Sequence, residues 1–140
     1  MNKSKLIVGE PSHTENAIID HQQAALQFLE LVSTGQIDEA YRKYVDLGGK
    51  HHNPYFKAGF PALREAMKAN QVQFPNMRLT VKNVIVGGDL VAVHSHVTLS
   101  PGETGMAVVH MFRFQGNRIV EMWDLGQPVP ADSPNQDGMF

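Results

Sequence analysis

The spacing of apolar residues changes once along this chain, at Pro75, and that change limits the fold more than any other feature. Ahead of it the period is helical. Behind the polar stretch Thr14-Glu15-Asn16, residues Ala17, Ile18, His21, Ala24, Ala25, Phe28, Leu29, Leu31 and Val32 recur on one helical face until Gly35, which predicts an amphipathic helix. A second helix is predicted from Ile37, with Ala40, Tyr41, Tyr44 and Val45 on one stripe and Gly48-Gly49 as its C-cap; the two helices form a hairpin. Lys50-His51-His52-Asn53-Pro54 reads as extended, because a residue before proline is pushed out of the helical region. A third helix is predicted from Pro61 through Leu63, Ala66 and Met67, closing at Phe74-Pro75.

After Pro75 the period is two. Met77–Val86, Leu90–Leu99, Met106–Phe114 and Arg118–Leu125 are rich in β-branched and aromatic residues and are separated by Gly87-Gly88-Asp89, Pro101-Gly102-Glu103 and Gln115-Gly116-Asn117. They predict consecutive antiparallel strands. The expected class is α+β, with three N-terminal helices packed on one face of a curved, mainly antiparallel sheet whose concave side stays partly open as a pocket. Residues 1–11 are expected to be a flexible N-terminus and 12–140 a single domain, with a non-periodic tail at 127–140 where the sheet should stop at Pro128 and Pro130.

Composition removes several functions. The 140 residues are 42% apolar, enough for one core, and contain no cysteine, which excludes thiolate nucleophiles and Cys-ligated metals. A net charge of −2 with scattered Lys and Arg gives no footprint for nucleic acid. Met1–Val8 has too short an apolar run for a secretory signal, and no run approaches the roughly twenty residues of a membrane span. A soluble, cytoplasmic protein without nucleic-acid or membrane partners is expected.

Histidine is the conspicuous chemical residue. Of seven, His51, His52, His94, His96 and His110 fall on or beside predicted strands. Strand geometry puts His94 and His96 on one face, and groups Val120, Met122 and Asp124 opposite Ile119, Glu121 and Trp123. The last hairpin has two possible registers. A three-residue loop makes Phe114 oppose Arg118, so that His110 opposes Met122 with Asp124 one pleat away; a two-residue Gly116-Asn117 turn sets His110 opposite Trp123. The first is favoured because it gathers polar residues on one surface. Gly88 followed by His94-Ser95-His96 matches the opening of a cupin metal motif, but Glu103 lies too far beyond His96 and a cupin does not begin with three helices. No phosphate loop, GxSxG elbow or HExxH occurs. Gly48-Gly49 and Gly87-Gly88 read as turns, Glu121 as a salt-bridging residue rather than a base, and Met67, Met77, Met106, Met111 and Met122 as core or pocket lining.

His51-His52-Asn53-Pro54 after a helix hairpin, Val108 to Phe114, Gly116-Asn117-Arg118-Ile119-Val120-Glu121-Met122-Trp123-Asp124, Gln127 and the ending Asn135–Phe140 together resemble the SnoaL-like polyketide cyclase group of the nuclear transport factor 2-like superfamily. The resemblance covers residue 12 onward. It implies a cone-shaped α+β barrel, commonly a homodimer packed through the sheet, with a blind apolar pocket and aldol-type ring closure that uses an acidic base and no cofactor. His52 falls on the histidine of the group's Gln-His-Asn-Pro motif, His94 on its strand histidine and Asp124 on the aspartate of Glu-His-Trp-Asp. His110 and Met122 depart from it, standing where the group has aspartate and histidine.

The resulting expectation is an enzyme moving a proton at a carbon next to a carbonyl in a small apolar or aromatic substrate. Asp124 is the base, since a carboxylate stripped of hydration by apolar neighbours is the stronger base. His52 and His94 stabilise the developing enolate, and His110 orients Asp124 or shares its proton. His51, Asn53, Phe112, Met122 and His96 are expected to contact substrate. The competing reading is a non-catalytic binding domain of the same fold, and a third is a histidine-ligated metal site. An apolar outer face formed by Ile119, Trp123, Val109 and Met111 predicts a homodimer. The terminal Met139-Phe140 points to a tail folded back over the domain or its dimer partner, with Phe140 near the pocket mouth shielding Asp124 from water; a disordered tail, the usual state of an untied terminus, is the alternative.

Overall fold

A computed structural model describes residues 13–140, with side chains from His21 onward. The expected flexible segment 1–11 and the Met1–Val8 signal reading lie outside the described residues. Three helices, α1 (His13–Ser33), α2 (Ile37–Tyr44) and α3 (Phe60–Gln73), pack on five strands: β1 (Val45–His51), β2 (Arg78–Gly87), β3 (Leu90–Thr98), β4 (Met106–Gln115) and β5 (Arg118–Pro128). The sheet order is β1-β5-β4-β3-β2, antiparallel from β2 through β5, with β1 parallel to β5. The sheet curls around the helices without closing, because β1 and β2 remain edges. Among the described residues no helix is long and apolar enough to cross a membrane.

The helix stripes meet the inward side chains of β3, β4 and β5. Phe28 of α1 lies edge-on to Tyr41 of α2 at 5.4 Å and to Phe112 of β4 at 5.7 Å, and Tyr41 meets Phe60 of α3. Such aromatic pairs add about 0.5–1.5 kcal/mol each beyond burial. His21 ties α1 to the far hairpin: its ring stacks on Phe114 at 4.5 Å and its Nε2 donates to the Gly116 carbonyl at 2.8 Å.

The second helix is shorter than its stripe predicts. It ends at Tyr44, and the chain continues directly as β1, so Gly48-Gly49 lie within a strand rather than at a helix cap. A Cβ on Gly49 would fall 2.3 Å from the Val120 carbonyl oxygen and 2.9 Å from Phe60. Only glycine allows β1 this close to β5.

Neither hairpin register expected from the sequence occurs. The β4–β5 turn is the two-residue one, with Gln115 opposite Arg118 and Phe114 opposite Ile119, but Arg113 then pairs with Glu121. Val120 is the extra residue of a β-bulge. The bulge shifts every later pair by one, so that His110 faces Asp124 instead of Trp123 or Met122. It also turns Ile119 inward, where it is fully buried, and removes it from the outer apolar face expected to carry Ile119. That face keeps Val109, Met111 and Trp123 and gains Leu125, 61% exposed.

The sheet stops at Pro128, as the missing amide donors predict. The tail does fold back, but not over the pocket mouth. Phe140, 44% exposed, lies on the outer face against His96 at 4.7 Å and His94 at 5.6 Å, with the Lys82 ammonium 5.4 Å from its ring. Strand alternation decides this: Val91, Val93 and Ser95 point inward, so His94 and His96 point out.

Candidate active site

The inner face of the sheet and the helices line a partly open cavity of about 210 Å³. Phe28, Leu29 and Val32 of α1, Met67 of α3, Met77 and Leu79 around the start of β2, Val97 of β3, Leu99 just after it and Val108 of β4 make its apolar wall. Four polar residues interrupt it: Asn70 and Gln71 on α3, and His110 and Asp124 on neighbouring strands.

Asp124 is held by the loop that follows β1. Pro54 keeps Asn53 out of helical backbone, and the Asn53 side-chain oxygen accepts from the Tyr55 amide at 2.9 Å. That fixes the orientation of the amide, so Nδ2 donates to Asp124 Oδ2 at 3.0 Å. The loop itself is braced by His51. Its Nδ1 accepts from the Asn53 amide at 3.1 Å, which places the ring proton on Nε2, the donor to the Lys57 carbonyl at 2.7 Å.

His110 faces Asp124 directly across the ladder, with its ring nearly parallel to Phe112. Burial pushes its pKa down, partly opposed by the Asp124 charge, so the imidazole is neutral near pH 7. Its Nδ1 is buried without a hydrogen-bond partner, as is Ser95 Oγ on the inward side of β3. An unanswered buried polar atom costs about 1–3 kcal/mol. In the core, the Tyr41 hydroxyl reaches Sδ of the cavity residue Met67 at 3.1 Å, and burial raises its pKa well above the usual phenol range.

Of the residues expected at the site, only His110 and Asp124 line the cavity. The expectation that His52 and His94 face it is not met. His52 stacks on Trp123 at 5.1 Å and pairs with Glu121 at 2.6 Å on the outer face, because it continues the alternation that turns His51 inward. Glu121 also meets Arg113 at 3.3 Å, and these partners hold its carboxyl below the usual range, the His52 hydrogen bond contributing most. It is a salt-bridging residue, as read from the sequence. His94 accepts from the Asn83 amide at 3.1 Å, and His96 donates to the Thr104 carbonyl at 2.8 Å. Among the described residues no three metal-ligating side chains converge. His51 and Asn53 support Asp124 instead of lining the cavity, and Phe112 and Met122 are core residues beneath it.

Sequence reasoning missed Asn70 and Gln71. Leu63, Ala66, Met67, Asn70 and Gln71 continue one helical stripe at i, i+3, i+4, i+7 and i+8, and two amides on an otherwise apolar stripe were the available signal. Gly35, at φ 86°, leaves the space against which the Gln71 side chain packs.

The profile of the SnoaL-like domain family matches residues 25–122, from the first helix to the strand that carries Asp124. The chain belongs to the SnoaL-like family. Solved structures agree on the fold. A SnoaL-like protein of unknown function from Burkholderia thailandensis superposes with a TM-score of 0.66 at 16% identity, covering 78% of this chain and 95% of its own. A candidate polyketide cyclase from Acidithiobacillus ferrooxidans gives 0.62 at 22% identity, covering 77% and 88%. A candidate isomerase of the SnoaL-like family from Agrobacterium tumefaciens gives 0.65 at 13% identity, covering 78% and 98%. A comparison with curated protein sequences gives no match.

Proposed function

We propose that this SnoaL-like protein is an enzyme that moves a proton at a carbon next to a carbonyl, as in an aldol-type cyclisation or an isomerisation, with Asp124 as the base and no cofactor. The observation that carries the reading is the placement of Asp124 opposite a neutral His110 at the wall of an apolar cavity. The α-carbon gives its proton to the Asp124 carboxylate as the C–H bond breaks, and the electron pair moves to the carbonyl oxygen. A hydrogen bond from His110 to that oxygen strengthens as charge develops there. Asn53 fixes the carboxylate through one oxygen, and the other takes the proton. Two structural neighbours carry the names candidate polyketide cyclase and candidate isomerase, which are compatible with this reading.

Asp124→Asn tests the assignment, because it keeps shape and removes the base. Exchange of ketone α-protons for deuterium, followed by NMR, should fall to the uncatalysed rate while the melting temperature is kept; an Asn variant that exchanges as fast as the parent overturns the assignment. A homodimer packed through Val109, Met111, Trp123 and Leu125 is proposed alongside it, since such an apolar outer face suits a two-fold contact. Sedimentation of the parent against Leu125→Glu tests it, and a monomeric parent at micromolar concentration overturns it.

A further inference from the structure

The space beside Asp124 limits what can be turned over there. An apolar cavity of about 150 Å³ holds one benzene ring, and pockets for drug-sized ligands begin at about 300 Å³. The cavity here is partly open and about 210 Å³, so its walls cover one ring with a short substituent, and a fused multi-ring skeleton would have to leave much of its apolar surface outside them. The wall beneath it does not yield easily, because Phe28 and Phe112 are fully buried and locked edge to face.

Charge narrows the choice further. Among the described residues no Lys or Arg lines the cavity. An anionic ligand would set a second negative charge beside Asp124 against an apolar wall, with no lining cation to offset it. A cation would pair with the carboxylate and occupy the base. A neutral ligand avoids both, and the polar residues along the cavity are His110 on the sheet wall and Asn70 and Gln71 on the helix wall.

We propose that the substrate is a neutral, single-ring ketone or one of similar size, with its carbonyl against His110, its α-carbon at Asp124 and any second polar group at Asn70 and Gln71. The choice of a carbonyl rests on the acid/base reading above; the limits on size and charge do not.

Three probes separate these points. Acetophenone is a neutral one-ring ketone, benzoate has the same number of non-hydrogen atoms and a negative charge, and anthrone is a neutral three-ring ketone. In NMR titrations of the full chain, acetophenone should bind saturably, benzoate should bind at least about tenfold more weakly, and anthrone should not bind. Val108→Phe, which fills the cavity from its wall, should abolish acetophenone binding while a cooperative melt is kept; if that variant does not fold, Leu99→Phe from the rim repeats the test. Anthrone or benzoate binding as tightly as acetophenone overturns the inference, as does acetophenone failing to bind or binding unchanged in the filled variant. Methyl-proton exchange of acetophenone in deuterated water reports separately on the base. Saturable binding without exchange overturns the Asp124 reading and leaves the size and charge limits standing, whereas exchange accompanied by tight anthrone binding does the reverse.

Discussion

Gly49→Ala should damage both the fold and the site through one contact. The new Cβ would stand 2.3 Å from the Val120 carbonyl oxygen and 2.9 Å from a Phe60 ring carbon, whereas unstrained contacts of this kind lie near van der Waals distance. The first partner is backbone in the bulge that aligns His110 with Asp124, and the second is a core ring, so neither rotates away and β1 must move. Overpacking of this kind costs about 1–3 kcal/mol, here at the upper end, and the reduced freedom of the unfolded chain returns about 0.4–1 kcal/mol. The net loss is about 2 kcal/mol, or about 4–8 °C in melting temperature for a domain of this size. Displacement of β1 also carries Asn53 away from Asp124, so α-proton exchange should fall by more than the unfolded fraction explains. Thermal melts followed by circular dichroism, with exchange measured well below the transition, check both effects. Gly87→Ala is the control, since a Cβ there meets no atom within 4 Å. If Gly49→Ala melts within a degree or so of the Gly87→Ala control, the close approach is not what fixes β1, and the reasoning from bulge to site is wrong.

Asn53→Ala should lower the exchange rate about tenfold or more by freeing the carboxylate while changing ketone affinity little, because Asn53 acts on Asp124 and not on the ligand; rate and saturation measured in one NMR titration separate the two. His52→Ala should leave exchange unchanged, since that side chain stands on the outer face against Trp123, and a large loss there would contradict the placement of the site. Stability should fall as pH drops below about 6.5, by up to about 1.4 kcal/mol per pH unit. The sign follows from His110: burial lowers its folded pKa from 6.5, so below 6.5 the unfolded chain binds a proton that the folded chain does not, until the folded pKa is reached. Urea midpoints at pH 7.5 and 5.5 should show this slope and His110→Phe should flatten it; Glu121, whose lowered carboxyl contributes stability that is lost only at more acidic pH, falls outside that window. Removing residues 133–140 should leave acetophenone binding unchanged, because Phe140 covers His94 and His96 rather than the cavity.

The change of apolar period at Pro75 determined the architecture, because alternation and helical spacing are local properties that each segment carries before it meets another. Helix-then-meander order, the turns at Gly87-Gly88, Pro101-Gly102 and Gly116-Asn117, and the stop at Pro128 were legible for the same reason. Asp124 and His110 could be named as chemical residues, but whether they met could not be read from strand propensities. That depended on a bulge at Val120, which is a compromise between a two-residue turn, a buried Ile119 and a β1 strand seated on Gly49. A one-residue slip changes every later partner in a strand, so the site was set by three contacts among segments far apart in sequence. The same dependence explains the residues that fell outside it. Asn53 reached Asp124 and His52 did not because adjacent residues leave β1 on opposite sides, and His94 turned outward because Val93 and Ser95 were needed in the core. Local alternation decided which side chains share a face where a strand runs unbroken, as in β3, and only packing decided where the bulge in β5 breaks that alternation and which face became the inside.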